Sequence, residues 1–221
     1  MTARAGAGAG RGRRVVLWRH GRTAWNAEGR FQGQLDVDLD EEGRAQAERA
    51  GRLLASLAPT MLVSSDLCRA RDTARALARH VDLPVEVDAD LRETYAGEWQ
   101  GLTGAEIVAR FPTEHARWTA GDAQLRVGGG ESRQEVAVRI ERAVRRVATS
   151  LPEGGLAVLT THGGAARLGI ARLIGLPPER WTALGVLSNA AWSLLSQAAD
   201  GWVLVEHNAG TLPEPVRTEE G

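Results

Sequence analysis

LWRHGRTAWN, residues 17–26, carries the end of a buried strand and the first residues beyond it. The apolar, β-branched run RRVVLW (13–18) predicts that strand. Arg19, His20 and Gly21 follow at once, where the strand reaches the surface. A cation beside an imidazole at such a place is either part of an ordinary loop or a reaction centre. The ends of the other strands distinguish the two readings.

Composition limits the classes of protein that remain. The chain has 221 residues, a formal net charge of -1 and a hydrophobic share of 43%, which fits one α/β domain. All 27 basic residues are arginine, so an arginine alone indicates little about function. The balanced charge and the lack of a long apolar run predict no nucleic-acid or membrane partner. The single Cys68 fits a reducing cytoplasm, where we expect the protein.

Strand and helix patterns alternate along the chain. Strands are predicted at 60–65, 84–91 and 155–164, helices at 39–58, 66–81, 104–111, 133–151 and up to 174, and an edge hairpin over 189–207. Such alternation favours a mostly parallel sheet covered on both faces, and we therefore predict a three-layer α/β/α sandwich with an edge hairpin.

Capping residues and apolar stripes support the predicted helix boundaries. Asp40 and Ser65 are expected to cap two helices, and capping boxes pair Thr103 with Glu106 and Ser132 with Glu135. The side chains expected to face the core are Ala47, Ala50, Leu53, Leu54 and Leu57 in one helix, and Val136, Ile140, Val144, Val147 and Leu151 in another.

The same patterns divide the chain into three parts. Residues 14–208 are predicted to form a single domain. The Gly/Ala/Arg-rich stretch 1–13 cannot bury a core, so we expect it to be a flexible tail. Residues 209–221 contain prolines and acidic side chains and are expected to form a loose tail.

Polar residues follow four of the predicted strands at their carboxyl ends, where open parallel sheets bind ligands. They are Arg19 and His20, then Arg69, then Glu93, then His162 and Gly163. Guanidiniums that converge on one point repel one another unless an anion lies between them. The sequence lacks the carboxylate cluster of a magnesium site, a zinc spacing and a nucleotide-binding glycine loop. We therefore expect an anion site without metal or cofactor.

Four motifs, in this order, resemble those of the histidine phosphatases, the family that includes the cofactor-dependent phosphoglycerate mutases. They are LWRHGRTAWN (17–26), SSDLCRARDTA (64–74), LRETYAGEWQGLT (91–103) and TTHGG (160–164). The similarity runs from about Arg14 to Asn208. It implies the phosphoglycerate mutase-like form of the sandwich predicted above.

The resemblance also implies a role for each matched residue. His20 would be the nucleophile that becomes phosphohistidine, and Glu93 would be the acid that protonates the leaving oxygen. Arg19, Arg69 and His162 would hold the phosphoryl oxygens. The remaining pocket residues would be Asn26, Gln32, Gly33 and Gly163.

The nucleophile has to be a neutral imidazole. Flanking cations oppose a second positive charge, so we expect Arg19 to lower the pKa of His20. We also expect Gly21 to present its carbonyl group to the second ring nitrogen, which would set the tautomer.

Three stretches indicate a substrate: LRETYAGEWQGLT, GGGESR (128–133) and ERWTALGVLSNAAWSLL (179–195). They are most similar to those histidine phosphatases that hydrolyse glucosyl-3-phosphoglycerate to glucosylglycerate and phosphate. We expect Arg22, Arg30 or Arg133 to meet the carboxylate of such a substrate. Trp25 and Trp99 are expected to wall the pocket, with Trp99 facing the sugar.

Three other functions fit the same residues. A cofactor-dependent phosphoglycerate mutase shares the catalytic set, although the short tail is poorly patterned for a lid. A broad-specificity phosphatase of small phosphorylated metabolites fits equally well. A non-catalytic phospho-ligand binding module would need a broken motif, and none is seen. The apolar edge hairpin and the family resemblance favour a homodimer.

Overall fold

The computed structural model describes residues 12–211, which form one six-stranded sheet in the order β3-β2-β4-β1-β5-β6. The strands are β1 (Arg14–Arg19), β2 (Met61–Ser64), β3 (Val85–Val87), β4 (Leu156–Thr161), β5 (Trp192–Ala198) and β6 (Gly201–Ala209). Strands β1 to β4 run parallel, whereas β5 pairs antiparallel with β1 and β6 antiparallel with β5. The predicted parallel sheet with an edge hairpin is confirmed.

Helices cover both faces of this sheet. They are α1 (Ala24–Glu28), α2 (Glu41–Ala55), α3 (Cys68–Val81), α4 (Gly104–Arg110), α5 (Pro112–Thr119), α6 (Arg133–Ser150) and α7 (Gly163–Leu173). Alternate residues of β1 belong to different cores: Val15 and Leu17 pack with α6 and α7, and Val16 and Trp18 pack with α2 and α3. The two cores make the three layers that the alternating pattern predicted.

Most predicted helix features agree with the structure. Asp40 accepts a hydrogen bond from the Gly43 N–H as the N-cap of α2, and both capping boxes are present. The five α6 positions predicted to face inward are buried. In α2, however, Leu53 and Leu57 are exposed. Leu53 lies beside the buried stripe rather than in it, and the helix ends before Leu57.

Two other local predictions are wrong. Helix α3 begins at Cys68 with no side-chain cap, and the Ser65 hydroxyl lies instead against the His162 ring. Strand β3 is only three residues long, because the Asp88 carboxylate accepts from the Asp90 N–H and starts a 3-10 turn over Ala89–Leu91. A tertiary contact in the first case and a local cap in the second override the sequence pattern.

The segment 94–131 builds a small apolar core of its own. It contains α4 and α5, and its buried side chains pack with one residue from the loop after α1. The members of this core, named here the aromatic core, are Phe31, Ala96, Trp99, Ile107, Trp118, Leu125 and Val127. The long segment is therefore a packed structure that stands beside the carboxyl ends of the strands.

The predicted tails, 1–13 and 209–221, lie mostly outside the described residues and stay predictions. At the inner boundaries, the Arg13 carbonyl accepts from the Gln197 N–H at 2.8 Å, and β6 runs to Ala209. No helix within residues 12–211 is long and apolar enough to cross a membrane.

Gly169 sets the distance between α6 and α7. A Cβ atom at this position would lie 2.8 Å from the Cβ of Ile140, which no rotamer change can relieve. Alanine in a helix interior gains about 1 kcal/mol over glycine. Overpacking a core costs about 1–3 kcal/mol, so we expect Gly169→Ala to lower the free energy of unfolding on balance. Urea unfolding measures the difference. Gly185→Ala, where a Cβ meets nothing within 4 Å, is the control and should not destabilise. A stabilised Gly169→Ala protein would contradict this packing.

Candidate active site

A cleft of about 640 Å³, including the open space at its mouth, lies at the carboxyl ends of the parallel strands. Seven of the nine predicted site residues line it: Arg19, His20, Gln32, Gly33, Arg69, Glu93 and Gly163. His162 is fully buried, and its ring lies 5.1 Å from that of His20. The four separate strand ends therefore converge on one place, as the topology of a parallel sheet requires.

His20 follows β1 directly and is almost wholly buried. Its backbone N–H donates to the Thr161 carbonyl at 3.0 Å, which ties it to the end of β4. Its Nδ1 lies 2.7 Å from the Gly21 carbonyl oxygen. A carbonyl only accepts, so Nδ1 carries the hydrogen and Nε2 keeps its lone pair. The predicted contact with Gly21 is confirmed.

Glycine at position 21 allows a close approach of two backbones. A Cβ there would lie 2.8 Å from the carbonyl carbon of Gly43, near the start of α2. The Gly21 N–H also donates to the Thr73 hydroxyl at 3.1 Å. The carbonyl group that sets the tautomer is thus held by α2 on one side and α3 on the other.

The pKa of His20 lies well below its usual range, as predicted. Burial is the largest cause, followed by the charge of Arg69 and then by that of Arg19, whereas the Gly21 carbonyl acts in the opposite direction. We expected Arg19 to be the cause, and the structure gives it the smallest share of the three. Burial lowers the pKa of His162 in the same way, and Arg69 adds to the decrease.

Carbonyl oxygens orient the two guanidiniums. Arg19 Nη1 donates to the Leu187 carbonyl at 2.5 Å, and Arg69 donates to the carbonyls of Leu35 and Gly33 at 2.7 and 2.8 Å. Both side chains are buried. A Cβ at Gly163 would come within 3.1 Å of the Arg19 guanidinium carbon, so glycine lets this cation lie against the start of α7.

Glu93 is held by the first turn of α7. Its Oε2 accepts from the Gly164 N–H at 3.1 Å, and its Oε1 accepts from the N–H groups of Ala165 and Thr94 at 3.0 and 2.8 Å. A helix N-terminus supplies free N–H groups and partial positive charge, which suit a carboxylate. The arrangement keeps the Glu93 oxygens at the wall of the cleft.

His162 and Gln32 are two buried polar side chains that each have one atom without a partner in the described part of the chain. His162 Nε2 lies 2.9 Å from the Ser65 hydroxyl, and its Nδ1 has no hydrogen-bond partner among residues 12–211. Gln32 is buried in the wall, and its Oε1 is likewise unpartnered within the described part of the chain. Gln32 Oε1 can therefore bond to a group bound in the cleft, whereas His162 is fully buried and is not among the lining residues.

Asn26 stands apart from the other predicted residues and is not in the lining of the cleft. Its side-chain oxygen accepts from the Thr23 N–H and the Asn189 amide, both at 3.1 Å. Asn189 in turn donates to the His20 carbonyl at 3.4 Å. Asn26 thus supports the loop that carries His20.

The residues expected to meet the rest of the substrate are elsewhere. Arg22 pairs with the Asp40 carboxylate, and Arg30 bonds to Glu28 and to the Gly101 carbonyl. Arg133 is buried behind the wall and stacks on the Trp118 ring with its guanidinium carbon 3.8 Å from the ring centre.

The aromatic predictions also need correction. Trp99 is fully buried in the aromatic core, and Trp25 packs near Gly101 rather than on the wall. Neither ring lines the cleft. The aromatic side chains that do line it are Phe31 and Trp118. Which indole faces the ligand depends on how segment 94–131 packs, and the sequence carries no periodic signal for that.

The sequence reasoning also missed Arg167, a buried residue in the cleft wall. Arg167 lies four residues after Gly163 on α7, so helical periodicity places it one turn along the same face. That spacing could have revealed it. Within residues 12–211, no group of three or more His, Cys, Asp or Glu side chains could hold a metal ion.

A three-layer α/β/α sandwich whose cleft holds two oriented guanidiniums and a neutral imidazole has the charge and the lone pair that an anion site with a nucleophile needs. The chain belongs to the histidine phosphatase superfamily, because the model of branch 1 of that superfamily matches residues 15–210.

Relatives with known names are similar over most of the chain. A glucosyl-3-phosphoglycerate phosphatase of Mycobacterium tuberculosis is 46% identical over 193 residues, 84% of this chain and 86% of that protein. A metal-independent phosphoserine phosphatase of Arabidopsis thaliana is 35% identical, over 86% of this chain and 79% of its own length. The solved structure of a mycobacterial glucosyl-3-phosphoglycerate phosphatase complexed with VO3 superposes with a TM-score of 0.85 at 44% identity, covering 90% of this chain and all of that one.

The two buried imidazoles predict how stability depends on pH. An unfolded histidine binds a proton below about pH 6.5, whereas His20 and His162 in the folded protein bind it only at lower pH. The unfolded state then holds more protons, so the free energy of unfolding should fall by about 1.4 kcal/mol per pH unit for each histidine as the pH drops below that value.

Urea unfolding over this pH window measures the slope. His162→Asn removes one of the two groups and should remove about half of the slope, whatever its effect on absolute stability. A slope that is zero in the wild-type protein would contradict the neutral, buried state of both rings.

Proposed function

We propose that this protein is a phosphomonoesterase that works through a phosphohistidine and hydrolyses glucosyl-3-phosphoglycerate to glucosylglycerate and phosphate. One observation carries the proposal: His20 is buried and neutral with a free lone pair on Nε2, in a cleft shared with Arg19, Arg69 and Glu93. The relatives that carry this name support the choice of substrate.

The first step transfers the phosphoryl group to the protein. Arg19 and Arg69 neutralise the charge on the phosphoryl oxygens, and this neutralisation is the main demand of phosphoryl transfer. The Nε2 lone pair of His20 forms the N–P bond as the ester O–P bond breaks. Glu93, in its protonated form, gives its proton to the leaving oxygen. His162, through Nδ1, bonds to a phosphoryl oxygen.

The second step returns the protein to its starting state. A water molecule attacks phosphorus from the side that the leaving alcohol vacates, and the Glu93 carboxylate takes the proton of that water. The N–P bond breaks and His20 is again a neutral imidazole. The hydrogen bond from Nδ1 to Gly21 stabilises the positive charge that the ring carries while it is phosphorylated.

The lining of the cleft contains more cationic and aromatic side chains than a phosphate group alone needs, which favours a larger substrate. Among the described residues, three cations line the cleft, Arg19, Arg69 and Arg167, against the one acid Glu93. Two of the cations match the phosphate dianion, and Arg167 matches a carboxylate. Trp118 lines the cleft and stacks on Arg133, and we expect this indole to pack against the sugar.

The proposal also covers the metal requirement, the compartment and the oligomeric state of the protein. The guanidiniums supply the charge that a metal would otherwise supply, so we expect activity in EDTA. A single cysteine is consistent with action in the cytoplasm. The outer strand β6 exposes Val203 and Val205, and we expect a homodimer paired through this edge.

A panel of esters in EDTA tests the function. Phosphate release from glucosyl-3-phosphoglycerate should far exceed release from 3-phosphoglycerate. Interconversion of the phosphoglycerates instead of phosphate release would favour a mutase, and tight binding without any turnover would favour a binding module. Similar rates of phosphate release from unrelated esters would favour a broad-specificity phosphatase.

His20→Ala should lower turnover of every ester by at least about 10⁴-fold, because no other group can accept the phosphoryl group. Substrate should still bind weakly through the arginines. Radiolabelled ester followed by an alkaline quench should mark the wild-type protein and not the variant. His80→Ala, at the outer end of α3, is the control and should keep wild-type turnover. A fully active His20→Ala protein would rule out the mechanism.

Arg167→Gln should show whether Arg167 binds the carboxylate of the substrate rather than its phosphate. A charge-assisted hydrogen bond is worth about 1.5–3 kcal/mol, so kcat/KM for 3-phosphoglycerate should fall about 10- to 100-fold. For glycerol 3-phosphate, which has a hydroxymethyl group in place of the carboxylate, it should change by less than about 3-fold. The control is Arg172→Gln on the same helix, whose side chain pairs with Glu141. Equal decreases in kcat/KM for the two esters would show that Arg167 does not bind the carboxylate.

A further inference from the structure

Arg139 is a nearly buried cation on α6 that does not line the cleft. Its side chain is 11% exposed and makes five hydrogen bonds. Three of these go to backbone carbonyls of one short segment: Nη1 donates to Asp90 at 2.9 Å and to Arg92 at 2.5 Å, and Nη2 donates to Glu93 at 2.8 Å. One guanidinium thus binds the backbone of Glu93, the proposed acid, and of the residues just before it.

Glu131 binds both Arg139 and the backbone of Tyr95, two residues after Glu93. Its carboxylate pairs with Arg139 through two bonds of 2.8 and 2.9 Å. The same carboxylate accepts from the Tyr95 N–H at 2.8 Å, and the Glu131 N–H donates to the Tyr95 carbonyl at 2.7 Å. The ion pair therefore contacts the chain before Glu93, at Glu93 and two residues after it.

We propose that the Arg139–Glu131 pair is a positioning device for Glu93, which sets the place of its carboxylate relative to the leaving oxygen. The inference rests on the proposed function, in which Glu93 is the general acid. The carboxylate itself is bound by the first turn of α7. Its distance from His20 therefore depends on two anchors, one for the oxygens and one for the backbone.

Arginine is the side chain that this task requires. The guanidinium is planar and has five donors in a fixed fork, and here it serves three carbonyls and both carboxylate oxygens. Lysine keeps the charge, but it has three donors on a flexible stem and cannot make all five bonds. Arg139→Lys should therefore preserve the ion pair with Glu131 and loosen the segment 90–93.

Leaving-group dependence distinguishes positioning of the acid from support of the fold. The alkoxide of 3-phosphoglycerate needs a proton to leave, whereas the nitrophenolate of 4-nitrophenyl phosphate leaves without one. A misplaced acid therefore lowers kcat/KM for 3-phosphoglycerate and leaves kcat/KM for 4-nitrophenyl phosphate unchanged. A loss of folded protein slows both equally, and the ratio of the two kcat/KM values does not depend on how much of the protein is folded.

In the test, kcat/KM is measured for both esters in the wild-type protein, Arg139→Lys, Glu131→Gln and Glu93→Gln. Misplacement of a reacting group by about 1 Å can cost about 10²-fold, so Arg139→Lys should lose up to about that factor on 3-phosphoglycerate. It should lose less than about 3-fold on 4-nitrophenyl phosphate. Glu131→Gln should shift the ratio in the same direction.

Arg142→Lys is the matched control. Arg142 lies three residues further along α6 and bonds to the Asp90 carboxylate with Nε and Nη2, but not to the backbone near Glu93. Its substitution should leave the ratio of the two esters unchanged. In the double variant Arg139→Lys/Glu93→Gln, the loss on 3-phosphoglycerate should equal that of Glu93→Gln alone, because a missing acid cannot be misplaced.

Equal losses on both esters, an unchanged ratio in Arg139→Lys and Glu131→Gln, or additive losses in the double variant would each overturn the inference. In those cases the wild-type protein still hydrolyses both esters, and the proposed function stands. If the wild-type protein hydrolyses 3-phosphoglycerate too slowly to measure, glucosyl-3-phosphoglycerate, whose leaving group is also an alkoxide, replaces it in every comparison. A wild-type protein that releases phosphate from none of the three esters would overturn the function and this inference together.

Discussion

His20 shares the cleft with Arg19 and Arg69, and the proposed chemistry depends on the ring staying uncharged beside them. Burial disfavours the imidazolium, and the two guanidiniums add to that effect. The same charges that keep the ring neutral attract a phosphate dianion to it. In the proposed mechanism, one set of cations therefore both keeps the nucleophile neutral and binds the substrate. The Gly21 carbonyl opposes the decrease in pKa and in return orients the ring.

The first turn of α7 connects the nucleophile side of the cleft with the acid side. Gly163 lies against Arg19, and the N–H groups of Gly164 and Ala165 bind Glu93. His162, immediately before the helix, reaches Ser65 at the end of β2. One helix N-terminus thus contacts both the Arg19 guanidinium and the Glu93 carboxylate. Because β4 lies between β1 and β2 in the sheet, its carboxyl end is next to both of the strands that supply the arginines.

Sequence reasoning succeeded where a residue is tied to a strand end or to a helical period. Arg19 and His20 follow from the rule that parallel strands end at one edge, and the inward face of α6 follows from its spacing. Glu93 reaches the same cleft although β3 ends at Val87 and a 3-10 turn intervenes. Sequence reasoning failed where a tertiary contact decides the outcome. Ser65 lies before the N-cap residue Leu67, and its hydroxyl contacts both the Leu67 N–H and the His162 ring. The choice of Trp118 over Trp99 as a wall residue depends on the packing of a segment that has no regular pattern.

The aromatic core stands apart from the two cores that cover the sheet. It supplies Phe31 and Trp118 to the cleft, whereas Arg19, His20 and Arg69 come from the end of β1 and from α3. Selection can therefore remodel one half of the cleft while the other is kept. A lineage that exchanged side chains of the aromatic core while keeping Glu131, which binds Arg139, would accept a different metabolite and keep the same reaction.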